Sequence, residues 1–230
     1  MFAPATINVH PTFKHTYRQN QLGMYNSDLA RTYAELDYTR ARLEETYMAT
    51  LEALAAAVDT RDPYTHGHCR RVARITTGIA KEMGISDQQR CTLERAALLH
   101  DIGKIGVPDS ILLKTTHLSA KETETIRAHP EIGFRMLSGL HFLDDALLAV
   151  RYHHERLDGS GYPYGLAGDQ IPLIARVLAV ADAYDAMTSD RPYRQGVSPA
   201  QGLAEIERCS GTHFDPLVVA ALVQLIIKTN

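Results

Sequence analysis

The 230-residue sequence is poor in cysteine, in excess charge of either sign and in long apolar runs. Its three cysteines, Cys69, Cys91 and Cys209, form no CxxC pair and do not pair evenly. That argues against a disulfide framework and for a reduced, cytoplasmic setting. A net charge of −3 leaves no polybasic footprint, so a nucleic-acid polymer is not an expected partner. No apolar run reaches about 18 residues, so no membrane span is expected. The opening MFAPATINVHPTFKH lacks a basic-then-apolar layout, and a secretory signal is not expected. No segment alternates with period two over a useful length, which leaves no basis for a sheet.

What is present is ordinary soluble composition, 45% apolar and 22% charged, with one unusual count, eleven histidines. The first residues, to about 27, show no clear periodicity. From there Leu29, Tyr33, Leu36, Arg40, Leu43, Tyr47, Thr50 and Leu54 alternate steps of four and three, a heptad seam with Arg40 and Thr50 as flaws. Two readings stay open: a parallel helical homodimer through residues 29–54, or a helix folded back on its own domain. RDPYT at 61–65 breaks this helix. A second is expected over about 66–83 with Gly84 as its cap. SDQQ and SAKE are capping-box patterns that start further helices at Ser86 and Ser119. Helical stretches are expected at about 119–139, 143–155, 173–188, 199–209 and 215–228. The last carries Leu217, Val218, Val219, Leu222, Val223, Leu225, Ile226 and Ile227, which read as core. The fold class is therefore all-α, a helical bundle. Residues 1–50 are an N-terminal arm and 51–230 the principal domain.

The stretch LLHDIGKIG ends an apolar helix with His100, Asp101 and Lys104. Similar settings hold His68 in GHCRRVARI, His129 in TIRAHPEIG, His153 and His154 in LLAVRYHHE, and Asp182 in VLAVADAYDAM. Alone, His68 or His129 reads as a hydrogen-bonded structural histidine, and Asp182 as a buried acid paired with an arginine. Together, five imidazoles and two carboxylates on apolar helices are explained more economically by one metal cluster, because unpaired polar groups there are costly. Helices converging in a bundle can aim such groups at one interior point. Donors of nitrogen and oxygen without thiolate suit iron or manganese, with zinc or nickel as alternatives. Seven ligands are too many for one ion with an open position. Two ions sharing Asp101 use them well, and two metals roughly 3.5–4 Å apart are a recurrent device for phosphate-ester hydrolysis. Lys104 lies one turn past His100, in reach of a substrate phosphate.

HDIGKIGVPDSILLK, followed by HHERLDGSGYP and ADAYDAMTSDRPYR, closely resembles the HD-GYP family, bacterial HD-superfamily phosphodiesterases acting on cyclic di-GMP. The match runs from about Leu51 to the C-terminus. The resemblance implies that His68, His100, Asp101 and Asp182 hold a first metal, and Asp101, His129, His153 and His154 a second. It implies a hydroxide bridging the pair as the attacking group. Asp101 and Lys104 are then the catalytic residues, and Lys104, Asp185, Arg191, Arg194 and Tyr162 the substrate-binding ones. A third metal, which some members hold through a glutamate, would need a ligand at Tyr64, so a dinuclear site is expected. His66 is expected to face solvent. The products would be linear pGpG, GMP or both. The loop 156–171, with its Tyr162–Pro163 pair, would lie at the substrate lip or meet a GGDEF-domain partner; closing the loop onto the bundle is the alternative for Tyr162. A module that binds a cyclic dinucleotide with little turnover, or a phosphohydrolase for another nucleotide, stays open.

Overall fold

Helix starts follow local chemistry. Ser86 accepts a hydrogen bond from the Gln89 amide, and Ser119 with Glu122 and Ser198 with Gln201 form reciprocal capping boxes. The structure, a computed structural model, describes residues 11–61, 67–190 and 195–229, with side chains from 19 to 228. It divides into two units, Met1–Met48 and Ala49–Asn230.

Helix α1, Pro11–Arg61, supplies the first unit and enters the second. In the first unit it is a single helix supported by the i,i+4 pairs Arg31–Glu35 and Arg40–Glu44. Its seam residues Leu29, Tyr33, Leu36, Leu43 and Tyr47 are exposed. In the second unit the same helix buries Leu51, Ala55 and Val58.

The second unit continues with α2 (His68–Glu82), α3 (Asp87–Leu99), a 3-10 turn over Ile102–Gly106 and the short α4 (Asp109–Leu112). Then come α5 (Ala120–Arg127), α6 (His129–Leu137), α7 (Asp144–Tyr152), α8 (Leu173–Thr188), α9 (Pro199–Arg208) and α10 (Pro216–Thr229). No strand occurs among the described residues. Helix α8 is central: Ala175, Val177, Leu178, Val180 and Ala181 are all fully buried, around most of its circumference. Helix α2 lies against α3, α8 and α10. Val72, Ile79, Leu93, Leu99, Ile206 and Leu222 fill the space between helices, each contributing roughly 1.5–3 kcal/mol by burial.

Three expectations need correction. The first residues, to about 27, read from their lack of periodicity as an extended or weakly ordered arm, yet from Pro11 they are helical and continuous with the rest of α1. The stretch expected to be one helix over 119–139 is two, broken at Pro130. Proline has no N–H to give the Ile126 carbonyl, and its ring crowds that turn. Helix α10 is not core all round: Val218 and Leu222 are fully buried, whereas Leu217 and Ile227 are mostly exposed. They fall on the side of the helix turned from the bundle.

One close approach sets the site. Gly103 lies against the first turn of α6, where a Cβ would stand 1.9 Å from the His129 carbonyl oxygen and 2.5 Å from the Gly133 nitrogen. Only glycine lets the 3-10 turn press against the segment that carries His129.

Candidate metal centre

Three of the histidines sit at helix ends. His100 caps α3, His129 follows the cap of α5, and His153 caps α7. Each turns its Nδ1 back to a carbonyl three residues earlier, at 2.8 Å: Ala97, Ile126 and Val150. For His129 this is the carbonyl that Pro130 cannot serve. A carbonyl oxygen only accepts, so each Nδ1 carries the ring proton and each Nε2 holds a lone pair. His68 is fixed in the same sense by a carboxylate, its Nδ1 lying 2.7 Å from Asp185 Oδ2.

The free nitrogens meet. His68 Nε2 is 3.1 Å from Asp182 Oδ1, and His100 Nε2 is 3.9 Å from the same oxygen. Asp101 stands between two groups: Oδ2 is 3.4 Å from His100 Nε2, and Oδ1 is 3.3 Å from His129 Nε2. His129 Nε2 and His153 Nε2 are 3.4 Å apart, and the His153 and His154 rings are 4.0 Å apart between centroids. His68, His100, Asp101, His129 and His153 are all buried. All seven residues singled out in the sequence therefore lie together.

The electrostatics suit cations. Burial opposes charge on Asp101, but Lys104 and His100 outweigh it and hold its carboxyl well below the usual range. Asp182 is likewise held low despite burial, chiefly through His68 and His100. Burial disfavours a charge on His68 too, yet hydrogen bonds to Asp182 and Asp185 push its pKa up to about 10. Burial and the neighbouring imidazoles push His153 far down and His154 down to about 3, so both rings are neutral. Neutral imidazole and ionised carboxylate are the ligand forms, so a cation binding here would take the place of the proton that the carboxylates favour on His68 and His100.

The donors fit divalent metal on two further grounds. His100 Nε2 is buried and has no hydrogen-bond partner, a costly arrangement unless a ligand takes its lone pair. Two sets, His68 with His100 and Asp101, and His129 with His153 and His154, have ligand atoms within 4.8 Å of one another.

A family model described as an HD domain matches residues 52–218, and that span holds HDIGK, HHE and the GYP loop. The chain belongs to the HD domain family, in its HD-GYP branch. A relative named cyclic di-GMP phosphodiesterase response regulator RpfG, from Xanthomonas campestris, is 43% identical over 79% of this chain and 49% of its own length. A relative from Vibrio cholerae named 3'3'-cGAMP-specific phosphodiesterase 3 is 38% identical over 87% of this chain and 44% of its own. The HD-GYP chain thus spans about half the length of the curated relatives it matches. The structure of Bd1817, an HDG"Y"P protein from Bdellovibrio bacteriovorus, aligns with a TM-score of 0.62 at 20% identity, covering 80% of this chain and 64% of that one. At that identity the likeness speaks for the fold alone.

Other residues named from the HD-GYP sequence fall in different places. Lys104 Nζ is 2.8 Å from Asp101 Oδ2, at the edge of the cluster. Tyr162 stacks on His154, 4.6 Å between centroids, and the Arg127 guanidinium lies over the Tyr162 ring, 5.1 Å from its centre. Asp185 is turned inward, onto protein partners. It is buried, with Oδ2 on His68 Nδ1, both oxygens on the Arg71 guanidinium and Oδ1 on Ser189 Oγ. It orients His68 instead, as outer partners of metal-binding histidines do. Arg191, Arg194, Tyr64 and His66 lie outside the described residues.

Sequence reading missed three supports. Arg71 fixes Asp185. Glu155, buried directly after the histidine pair, accepts the Tyr164 and Leu166 amides at 2.7 and 3.0 Å and so anchors the GYP loop. Glu131 pairs with Arg151 and accepts the Tyr164 hydroxyl at 2.7 Å, closing the loop onto α6 and α7. The acid in HHE was the one available signal.

Proposed function

We propose that residues 51–230 form a phosphodiesterase domain that hydrolyses cyclic di-GMP to linear pGpG and, on a second turn, to GMP. The reading rests above all on Asp101, whose two oxygens reach into two separate ligand sets. His68, His100, Asp101 and Asp182 would hold one divalent transition ion, and Asp101, His129, His153 and His154 another. Iron or manganese suits this donor set best, with zinc or nickel as alternatives. When bound, such a pair supplies an activated water and draws charge from phosphoryl oxygens.

The chain's own residues do the rest. Lys104 presents an ammonium at the edge of the cluster, a point charge for the scissile phosphate as negative charge builds there. Arg191 and Arg194, in the segment after α8, are suited to the second phosphate as bidentate donors. The half-buried Tyr162 ring offers a flat face for the substrate's ribose or base, held in place by its stack on His154. Asp185 keeps the His68 Nδ1 proton in place, so Nε2 stays a donor of its lone pair. The name of the Xanthomonas relative supports cyclic di-GMP as substrate.

A second substrate, 3',3'-cyclic GMP-AMP, is favoured by the name of the Vibrio relative. It keeps the same phosphodiester chemistry and changes one base. The exposed seam along α1 supports a homodimer through residues 29–54. The exposed Pro163 and Tyr164 offer a surface for a GGDEF-domain partner. The free thiols of Cys69, Cys91 and Cys209 fit a cytoplasmic protein.

The test is turnover by protein loaded anaerobically with Fe²⁺ or Mn²⁺, with products separated chromatographically. Cyclic di-GMP, 3',3'-cyclic GMP-AMP and mononucleotides form the panel. Hydrolysis of a cyclic dinucleotide supports the reading. Binding without turnover under every metal would replace it with a signalling module. Light scattering with and without residues 1–50 checks the dimer.

A further inference from the structure

Arg61, the last residue of α1, spends its whole guanidinium on one short segment. Nη1 donates to the Ile105 carbonyl at 2.7 Å and to the Lys104 carbonyl at 3.3 Å. Nη2 donates to the Val107 carbonyl at 2.9 Å, and Nη2 and Nε both reach Asp109 Oδ1, at 2.7 and 3.1 Å. These acceptors are 43 to 48 residues away in the chain. They run from the middle of the 3-10 turn that carries Lys104 to the first residue of α4.

That turn needs an external hold. A 3-10 helix has poor hydrogen-bond geometry and rarely runs far. This one is anchored at its front by Asp101 and on one side by the contact of Gly103 with α6. Lys104 is the middle residue of the five: its amide donates to the Asp101 carbonyl at 2.9 Å, and its own carbonyl accepts the Val107 amide at 3.0 Å, the bond that closes the turn. A lysine side chain is a flexible stem of four carbons. Its ammonium meets a phosphate reproducibly only if the backbone beneath it is fixed. A planar guanidinium, pre-organised to donate in several directions at once, can fix three carbonyls and a carboxylate together.

We infer that Arg61 is a positioning residue for Lys104, setting the backbone from which its ammonium reaches the substrate phosphate. The inference rests on the proposed phosphodiesterase function. A purely structural alternative is that Arg61 pins α1 to the domain and its loss lowers stability alone.

A double-mutant cycle separates the two. Cyclic di-GMP hydrolysis is measured with the metal-loaded full chain for wild type, Arg61→Ala, Arg61→Lys and Lys104→Gln, and for Arg61→Ala and Arg61→Lys each combined with Lys104→Gln. Misplacement of a reacting group by about an ångström is costly, so Arg61→Ala should lower kcat/KM by about tenfold or more. With Lys104→Gln already present, the same change should cost less than about twofold, because residues acting through one another are not additive. Arg61→Lys, which keeps the charge but not the fork, should show a smaller loss of the same kind, and it carries the comparison if Arg61→Ala does not fold. Equal losses in both backgrounds, or full activity in folded Arg61→Lys and Arg61→Ala, overturn the inference. Amide exchange gives a readout free of turnover. In Arg61→Lys the Lys104 and Val107 amides should exchange about tenfold faster while Ile79 in α2 does not change. Unchanged exchange at Lys104 overturns the inference even if the wild-type chain proves inactive, an outcome that would count against the proposed function instead.

Discussion

Glu155→Ala should release the GYP loop without unfolding the bundle. The Glu155 carboxylate is 3% exposed and accepts the Tyr164 and Leu166 amides at 2.7 and 3.0 Å. A hydrogen bond to a charged group is worth about 1.5–3 kcal/mol, so two set an upper figure of about 3–6 kcal/mol. The loop beside them is largely exposed, and water takes up part of what the amides lose, leaving about 2–3 kcal/mol. Since about 1.36 kcal/mol is a factor of ten, the two amides should exchange with solvent roughly 30- to 150-fold faster. The assay is native-state hydrogen exchange read residue by residue. Glu155→Gln keeps an acceptor oxygen and should give an increase of only several-fold. Wild-type exchange at Tyr164 and Leu166 in Glu155→Ala would refute the account. An acceleration spread equally over α2 and α8 would also refute it, because that reports global destabilisation.

Asp101→Ala removes the residue common to both ligand sets, so elemental analysis should find both ions lost and turnover gone; retained activity would remove the mechanism. Gly103→Ala drives a methyl into the backbone of α6, where the atoms cannot step aside. It should cost about 3 kcal/mol or more, a fall of roughly 6–12 °C in thermal midpoint by calorimetry. Asp185→Ala frees the His68 ring and should weaken metal binding about 10- to 100-fold in a calorimetric titration, at unchanged stoichiometry. Divalent ion at about 100 times its Kd should stabilise the folded chain by about 2.7 kcal/mol, and a chelator should reverse both that gain and the activity.

The seven clustered residues were legible because each one is written locally. A histidine or aspartate closing an apolar helix is an anomaly visible within ten residues. The helix of Leu173–Thr188 was expected at the bounds it has, since its apolar run ends cleanly. The break at Pro130 was hidden because apolar spacing carries on through it. The exposure of Leu217 and Ile227 was hidden because a run of aliphatic residues does not say which side faces the bundle. The contacts of Asp185 were hidden for a different reason. It lies three residues after Asp182, and helix periodicity puts the two on one face. Periodicity does not reveal that the His68 ring stands between them, one nitrogen toward each. The supports by Arg61 and Arg71 span 43 to 114 residues of chain, beyond any pattern along it.

The backward bonds of His100, His129 and His153 carry one more consequence. The rings stand at the trailing ends of α3, α5 and α7, but His68 and His129 also open α2 and α6, so three negative poles and two positive ones meet around the cluster. Each pole amounts to roughly half an elementary charge. The main-chain poles thus largely offset one another, and the pull on positive ions falls chiefly to the carboxylates of Asp101 and Asp182.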